Sequence, residues 1–167
     1  MTRRVSVAAG LAVLAALLLW WSAAFHDFFD SSVYSGAVRY WLGDGRMVYD
    51  FLEEGTRYGF TYPPFSGLLM APMAYLPLPA VVVVASVATV VTTVLVTWWL
   101  MAPMVRRAGW NPRYALFVAS CLALIFEPVR ETFGFGQVNT LLLTLVAIGI
   151  AAFGAYCFVR ARYPERT

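Results

Sequence analysis

The stretch PAVVVVASVATVVTTVLVTWWLMA, residues 79–102, decides the fold because it contains no charged side chain. A helix needs about 20 consecutive apolar residues to cross the hydrocarbon core of a bilayer. Its many valines and threonines would favour a strand in water, but an open strand in lipid leaves backbone groups without hydrogen-bond partners. We therefore predict a transmembrane helix over residues 79–102.

Three further apolar stretches predict transmembrane helices, at residues 5–25, 114–130 and 140–160. The second of these is strongly apolar only in its first part, so its helix must continue past Glu127. The chain has 167 residues, of which 61% are hydrophobic and 13% are charged, and soluble domains are far less apolar. The sequence therefore predicts an all-α integral membrane protein, with four transmembrane helices in a single membrane domain over residues 1–167.

The first stretch has an alternative interpretation as a secretory signal with a poor cleavage site at residues 22–24. Its apolar run is longer than a usual signal core. Trp20 and Trp21 also stand where an interfacial aromatic belt is expected. We interpret this stretch as an uncleaved membrane anchor.

The arginines orient the four predicted helices. All 12 basic residues are arginines, and eight of them fall on one side of the membrane, whereas eight of the nine acidic residues fall on the other. The arginines of the first side are Arg3, Arg4, Arg106, Arg107, Arg113, Arg160, Arg162 and Arg166. Because basic residues accumulate on the cytoplasmic side, both termini are predicted to be cytoplasmic and the two loops between the helix pairs to be outside.

The first outer loop, residues 26–78, has a pattern of its own. Apolar residues recur at helical spacing between residues 31 and 42, which predicts an amphipathic helix lying on the membrane surface. These residues are Val33, Ala37, Tyr40 and Trp41. A second apolar segment, residues 66–75, is predicted to dip towards the membrane before prolines stop it.

Two carboxylates, Asp27 and Asp30, stand just outside the first predicted helix. If the helix continues there, their spacing of three places them on one face. One interpretation is a general base at the membrane surface. The other is that Asp30 caps the following helix, since Asp is a preferred N-cap residue.

Polar residues in two other places are candidates for a site. Tyr62 opens a stiff Tyr-Pro-Pro-Phe element, which is either part of a site or a rigid connector. Gln137 and Asn139 follow two glycines in the second outer loop. Their amides are suited to bind a sugar, or the segment is a polar turn between two membrane helices. A lipid-linked phosphate would need a guanidinium partner, and nothing in the sequence chooses among the outer arginines. These arginines are Arg39, Arg46, Arg57 and Arg130.

The sequence disfavours several other classes of function. No basic patch is interleaved with aromatic residues, so nucleic-acid binding is not expected. The single histidine, His26, and the two cysteines, Cys121 and Cys157, lack the spacing of a zinc site. We predict no metal and no disulfide.

Four motifs in order and register resemble the actinobacterial polyprenyl-phosphate-mannose-dependent α-mannosyltransferases, integral membrane enzymes of the GT-C class. The motifs are Asp30-Ser31-Ser32-Val33-Tyr34, Gly43-Asp44-Gly45-Arg46 with Val48-Tyr49-Asp50, Phe60-Thr61-Tyr62-Pro63-Pro64-Phe65, and Glu127-Pro128 followed by Gly136-Gln137-Val138-Asn139. The match covers most of residues 20–145.

The resemblance implies an activity and a place in the cell. Such enzymes transfer mannose from a polyprenyl-phosphate-mannose donor to a glycolipid or glycan acceptor with inversion, at the outer face of the bacterial plasma membrane. No cofactor, nucleotide sugar or obligatory metal is implied. Because family members carry many more membrane helices, this chain is expected to correspond to an N-terminal portion. A truncated gene, a split enzyme whose partner chain supplies the missing helices, and a degenerate remnant all fit this expectation, and the chain alone is not expected to be active.

The resemblance also implies residue roles. Asp30 matches the family's catalytic aspartate, with Asp27 as a second candidate for the base. The residues expected to bind substrate are Tyr34, Arg46, Tyr62, Glu127, Arg130, Gln137 and Asn139.

Two other functions compete with this one. A non-catalytic subunit of a cell-envelope assembly that binds polyprenyl lipids would share the helices and the loops. A small transporter is disfavoured, because the apolar runs of the four spans, residues 5–25, 79–102, 114–126 and 141–159, contain no charged residue that would mark an ion path.

Overall fold

The computed structural model describes residues 2–162, and their regular structure is helical. Seven α-helices lie in this part of the chain: α1 (Thr2–His26), α2 (Phe29–Asp44), α3 (Pro64–Met70), α4 (Leu78–Arg107), α5 (Pro112–Ile125), α6 (Glu127–Phe135) and α7 (Asn139–Arg162). Short 3₁₀ turns occupy Val48–Asp50 and Ala71–Tyr75. An isolated antiparallel bridge joins Leu52 to Gly59.

Three helices are long and apolar enough to cross a membrane, namely α1, α4 and α7, and a fourth span exists if the bent pair α5–α6 counts as one. The all-helical membrane architecture predicted from the sequence is therefore confirmed. Within α4, the buried Thr93 hydroxyl has no hydrogen-bond partner among the described residues, whereas Thr92 Oγ1 donates to the Ala88 carbonyl at 2.7 Å. That bond leaves no unpaired hydroxyl at this position.

The third predicted helix, residues 114–130, is divided by the structure into two helices. α5 ends at Ile125 and α6 begins at Glu127, with their axes bent by 66°. Pro128 explains the break, because in a continuous helix its ring would meet the carbonyl of Leu124. In the second position of α6, where no N–H is needed, proline is well tolerated.

The apolar face of α2 belongs to a protein core. Val33, Ala37 and Val38 are almost completely buried, and they pack with Phe60 and Met70 from later in the same loop. The predicted helix is therefore present. Val33 and Ala37, however, contact protein rather than the lipid surface to which we assigned them, because the chain folds back over the helix through α3 and the following 3₁₀ turn.

The junction between α1 and α2 is a sharp turn. Asp27 and Phe28 both adopt left-handed backbone angles, with φ of 50° and 52°. The helix does not continue through Asp27, so Asp27 and Asp30 do not share a helical face. The capping interpretation of Asp30 is also wrong, because Phe28 occupies the N-cap position and Asp30 lies in the first turn of α2.

Candidate functional site

Five polar side chains from three separate parts of the chain form a hydrogen-bonded chain whose two end residues, Tyr34 and Tyr62, meet edge to face. We call this group the Asp30 ring: Asp30, Tyr34, Tyr62, Gln137 and Asn139. The Tyr34 hydroxyl donates to Asp30 Oδ2 at 3.2 Å, and Gln137 Nε2 donates to the same oxygen at 2.6 Å. Asn139 Nδ2 donates to Gln137 Oε1 at 2.5 Å, and the Tyr62 hydroxyl donates to Asn139 Oδ1 at 3.2 Å. All five had been predicted as site residues from the sequence.

The carboxylate of Asp30 is held by one oxygen and open at the other. Both of its hydrogen bonds reach Oδ2, while no side chain among residues 2–162 donates to Oδ1. The side chain is half-buried, so Oδ1 is accessible to a small polar group from outside. A carboxylate fixed in this way is suited to accept a proton from a hydroxyl.

Tyr34 serves the ring as a neutral donor. Burial raises the pKa of its phenol far above the ordinary value, and hydrogen bonding to Tyr62 and the nearby charge of Asp30 act in the same direction. The two tyrosine rings meet edge to face with centroids 5.3 Å apart, and Phe60 packs edge to face on Tyr34. Because Tyr34 keeps its proton, it donates to Asp30 throughout the physiological pH range.

Two glycines allow the second outer loop to approach α2 closely enough for Gln137 to reach Asp30. Gly136 ends α6 with φ of 68°, and a Cβ there would lie 2.2 Å from Ser31 Oγ. Ser31 Oγ donates to the Gly136 carbonyl at 2.9 Å, and the Phe28 N–H donates to the Gly134 carbonyl at 3.1 Å. These contacts place Gln137, the next residue, within reach of Asp30.

Gly134, two residues earlier, likewise allows a close approach, where α6 crosses α1. A Cβ on Gly134 would lie 2.2 Å from Ser22 Oγ and 2.8 Å from the Ser22 carbonyl oxygen. Ser22 is buried, and its hydroxyl donates to the Arg130 carbonyl at 3.1 Å. Glycine at position 134 therefore permits the close contact between α6 and α1.

The other predicted site residues lie outside the ring. Asp27 is exposed at the turn after α1, and Glu127 is exposed at the start of α6. Arg46 is exposed and stacks on Tyr40 at 5.3 Å, and a hydrogen bond to the Tyr40 hydroxyl raises its pKa. Arg130 lies over the Trp21 ring at 5.7 Å. Within residues 2–162, no side-chain hydrogen bond joins any of the four to the ring.

One cluster of charged residues was not predicted. His26, at the end of α1, contacts Glu131 of α6 through its Nε2, and its ring lies 3.8 Å from that of Phe135. Glu131 also accepts from the Arg130 guanidinium at 3.0 and 3.1 Å. A lone histidine at the end of an apolar helix and a glutamate in the other outer loop were the available signals. The sequence alone did not connect them.

The described part of the chain offers no group of three or more His, Cys, Asp or Glu side chains that could hold a metal ion. The ring itself is built from one carboxylate, two phenols and two amides. This combination of donors and acceptors suits the hydroxyl groups of a sugar.

Comparison with known families gives a consistent result. Residues 60–160 match glycosyltransferase family 87. The matched range includes Tyr62, Gln137 and Asn139 of the ring, whereas Asp30 and Tyr34 precede it. No solved structure matches the chain significantly.

Several curated proteins are similar in sequence. The chain is 32% identical to a polyprenol-phosphate-mannose-dependent alpha-(1-2)-phosphatidylinositol mannoside mannosyltransferase of Mycobacterium tuberculosis, over 71% of this chain and 31% of that protein. It is 34% identical to the protein of the same description from Mycolicibacterium smegmatis, over 70% of this chain and 30% of that protein. A phosphatidylinositol pentamannoside mannosyltransferase of Mycolicibacterium smegmatis is 30% identical. The chain thus spans about a third of the length of these relatives.

Proposed function

The chain belongs to glycosyltransferase family 87, and from this premise we propose that it acts in mannose transfer within a membrane. The donor is polyprenyl-phosphate-mannose, as the names of the relatives indicate for those proteins. The acceptor is a glycolipid or glycan, and phosphatidylinositol mannosides are the first acceptors to test. Because the relatives are about three times longer, the proposal includes further helices, from a longer chain or a partner chain, that complete the enzyme.

The open Oδ1 of Asp30 is the observation that carries the proposal. In the proposed step this oxygen takes the proton of an acceptor hydroxyl, whose oxygen forms a bond to the anomeric carbon of mannose. The bond from that carbon to the phosphate oxygen breaks, and its electron pair leaves on polyprenyl phosphate. Attack opposite the leaving group inverts the anomeric configuration. A positioned general base contributes roughly 10²- to 10⁴-fold to such a reaction.

The remaining ring residues are proposed to hold the base and the sugar. Gln137 and Tyr34 fix the Asp30 carboxylate by their bonds to Oδ2, and Tyr62 and Asn139 present polar groups next to it. The leaving phosphate requires a cation outside the ring. We assign this to Arg46 or Arg130, keep Glu127 as a further contact of the substrate, and keep Asp27 as the second candidate for the base.

The proposed location is the plasma membrane of a bacterium, with the Asp30 ring on the outer face and both termini in the cytoplasm. The distribution of arginines supports this orientation. It also agrees with the ring being built from the two predicted outer loops.

The test is mannose transfer from synthetic polyprenyl-phosphate-mannose to phosphatidylinositol mannosides by membranes that contain the protein. The substitution Asp30→Asn is expected to lower the transfer rate roughly 10²- to 10⁴-fold, because the amide cannot accept the proton. Asp44→Asn is the matched control, since it makes the same change in the same helix at an exposed position away from the ring. It is expected to leave the rate unchanged.

Two results would overturn the proposal. Normal transfer by Asp30→Asn would remove Asp30 from the mechanism, and Asp27→Asn would then be the next variant to measure. Binding of the donor lipid without transfer, indifferent to Asp30→Asn even when further helices are supplied, would instead support a non-catalytic lipid-binding subunit.

A further inference from the structure

A sizeable cavity lies far from the Asp30 ring. It has a volume of about 730 Å³ and opens between the first turn of α1, the last part of α4 and the start of α5. Arg4 lines it, whereas the ring begins after the last turn of α1. Along a helix that rises 1.5 Å per residue, the two sites are roughly 33 Å apart, close to the thickness of a hydrocarbon core.

The cavity combines a cationic rim with an apolar wall. Arg4 lies over the Tyr114 ring at 5.9 Å, and Trp110 stands at the mouth. Val118 and Leu122, one and two turns further along α5 than Tyr114, also line the cavity. A charged group at the mouth of an apolar cleft matches a ligand with an anionic head and a hydrocarbon tail.

The helix ends that surround the cavity carry only positive charge. The helix ends around the cavity carry five arginines, and residues 2–26 and 78–125 contain no acidic side chain. The five are Arg3, Arg4, Arg106, Arg107 and Arg113. Within residues 2–162, Arg4 forms no ion pair with a carboxylate, so its charge is available to a ligand.

We propose that this cavity binds an anionic glycerophospholipid from the leaflet at this end of the molecule. Arg4 pairs with the lipid phosphate, Trp110 sits at the level of the headgroup, and one acyl chain lies along Val118 and Leu122. A zwitterionic lipid carries its own cation and gains less from Arg4. Basic pockets between membrane helices are suited to anionic headgroups, and tryptophan favours the interface.

The test uses the purified protein in detergent micelles with equal amounts of phosphatidylglycerol and phosphatidylcholine of identical chains. Native mass spectrometry measures how much of each lipid stays bound. Phosphatidylglycerol is expected to be retained in excess. Arg4→Gln is expected to lower its retention about fivefold and to leave phosphatidylcholine unchanged, since one basic residue near an anionic lipid contributes about that factor.

A matched control separates the cavity from the general charge of the surface. Arg3→Gln removes the same charge from the neighbouring residue, which is exposed and does not line the cavity. It is expected to retain phosphatidylglycerol as the unsubstituted protein does. Equal losses in the two variants would overturn the proposal, because they would show attraction to the surface as a whole.

A second variant tests the apolar wall without changing the charge. Ala119 lines the cavity, and Ala119→Leu fills part of the space that the acyl chain would occupy. Lower retention of phosphatidylglycerol in this variant supports the proposal. Unchanged retention, equal binding of the two lipids, or displacement of the lipid by soluble glycerol phosphate would each contradict it.

Discussion

The outer segment of the protein, residues 29–75, and the membrane helix α7 bury their side chains in opposite ways. The outer segment is the less apolar of the two, yet it contains the main core, with Ala37 and Val38 completely buried. In α7, by contrast, no side chain between Leu141 and Arg160 is buried, and Val146 is 58% exposed.

The difference follows from the solvent of each region. Water drives apolar side chains together, so the outer segment must close a core of its own. Lipid tails are as apolar as leucine, so α7 gains nothing by hiding its side chains and is specified by the length of its apolar run. Packing therefore holds the outer segment together, and the bilayer supports α7.

The largest effect on the free energy of unfolding is expected where Gly136, at the end of α6, contacts Ser31 of α2. Gly136→Ala forces a side chain into a left-handed position and against Ser31 Oγ. Strain of about 1–2 kcal/mol and overpacking of about 1–3 kcal/mol should together lower the free energy of unfolding by roughly 2–5 kcal/mol. Thermal unfolding of the purified protein in mixed micelles measures this.

Gly149→Ala provides the control for that measurement. Gly149 lies in α7, and a Cβ there meets nothing within 4 Å. Its replacement should stabilise the helix by at most about 1 kcal/mol. If Gly136→Ala were as harmless as Gly149→Ala, the close contact between α6 and α2 would not exist.

A pair of identical substitutions tests the comparison directly. Val38→Ala removes two buried methyl groups from the core of the outer segment, so it should lower the free energy of unfolding by about 1.5–3 kcal/mol. Val146→Ala makes the same change on the exposed face of α7, where an effect within about 0.5 kcal/mol is expected. Equal effects at the two positions would break the distinction between the regions.

The smallest effect is expected in alkaline solution. Burial raises the pKa of Tyr34, so the folded protein keeps a proton that the unfolded chain releases near pH 10. The contribution of Tyr34 to stability is therefore complete below about pH 10 and falls as the pH rises above it.

Unfolding measured at about pH 9 and about pH 11 tests that sign. Tyr34→Phe should make the loss of stability between the two values smaller than in the unsubstituted protein. Tyr75→Phe is the control, because Tyr75 is 82% exposed and should leave the loss unchanged. A loss that is the same in all three proteins would mean that Tyr34 is not buried in its neutral form.

Much of the fold could be predicted because the bilayer imposes a simple rule on sequence. The stretches at 5–25, 79–102 and 140–160 lie within α1, α4 and α7. The bend at Phe126 was missed because the apolar run extends up to Phe126. The proline that breaks the helix, Pro128, lies beyond that run. The burial of Val33 was missed because helical spacing identifies an apolar face and not what covers it.

The sequence predicted the residues of the Asp30 ring but not the contact between His26 and Glu131. The residues of the Asp30 ring stand in short motifs whose side chains are suited to sugars, and the structure brings them together. The contact between His26 and Glu131 depends on the angle at which α6 crosses α1. That angle is set by Gly134 and by the bend, and neither has a periodic signature in the sequence.

The hydrogen bond between Gln137 and Asp30 joins residues that are 107 positions apart. At synthesis rates of 5–20 residues per second, Asp30 is added to the growing chain about 5–20 s before its amide partner exists. During that interval the carboxylate has only Tyr34, four residues away, as a donor in the ring. The Asp30 ring therefore forms late in biogenesis. It is complete only when Gln137 and, at the beginning of α7, Asn139 have been synthesised and delivered to the membrane.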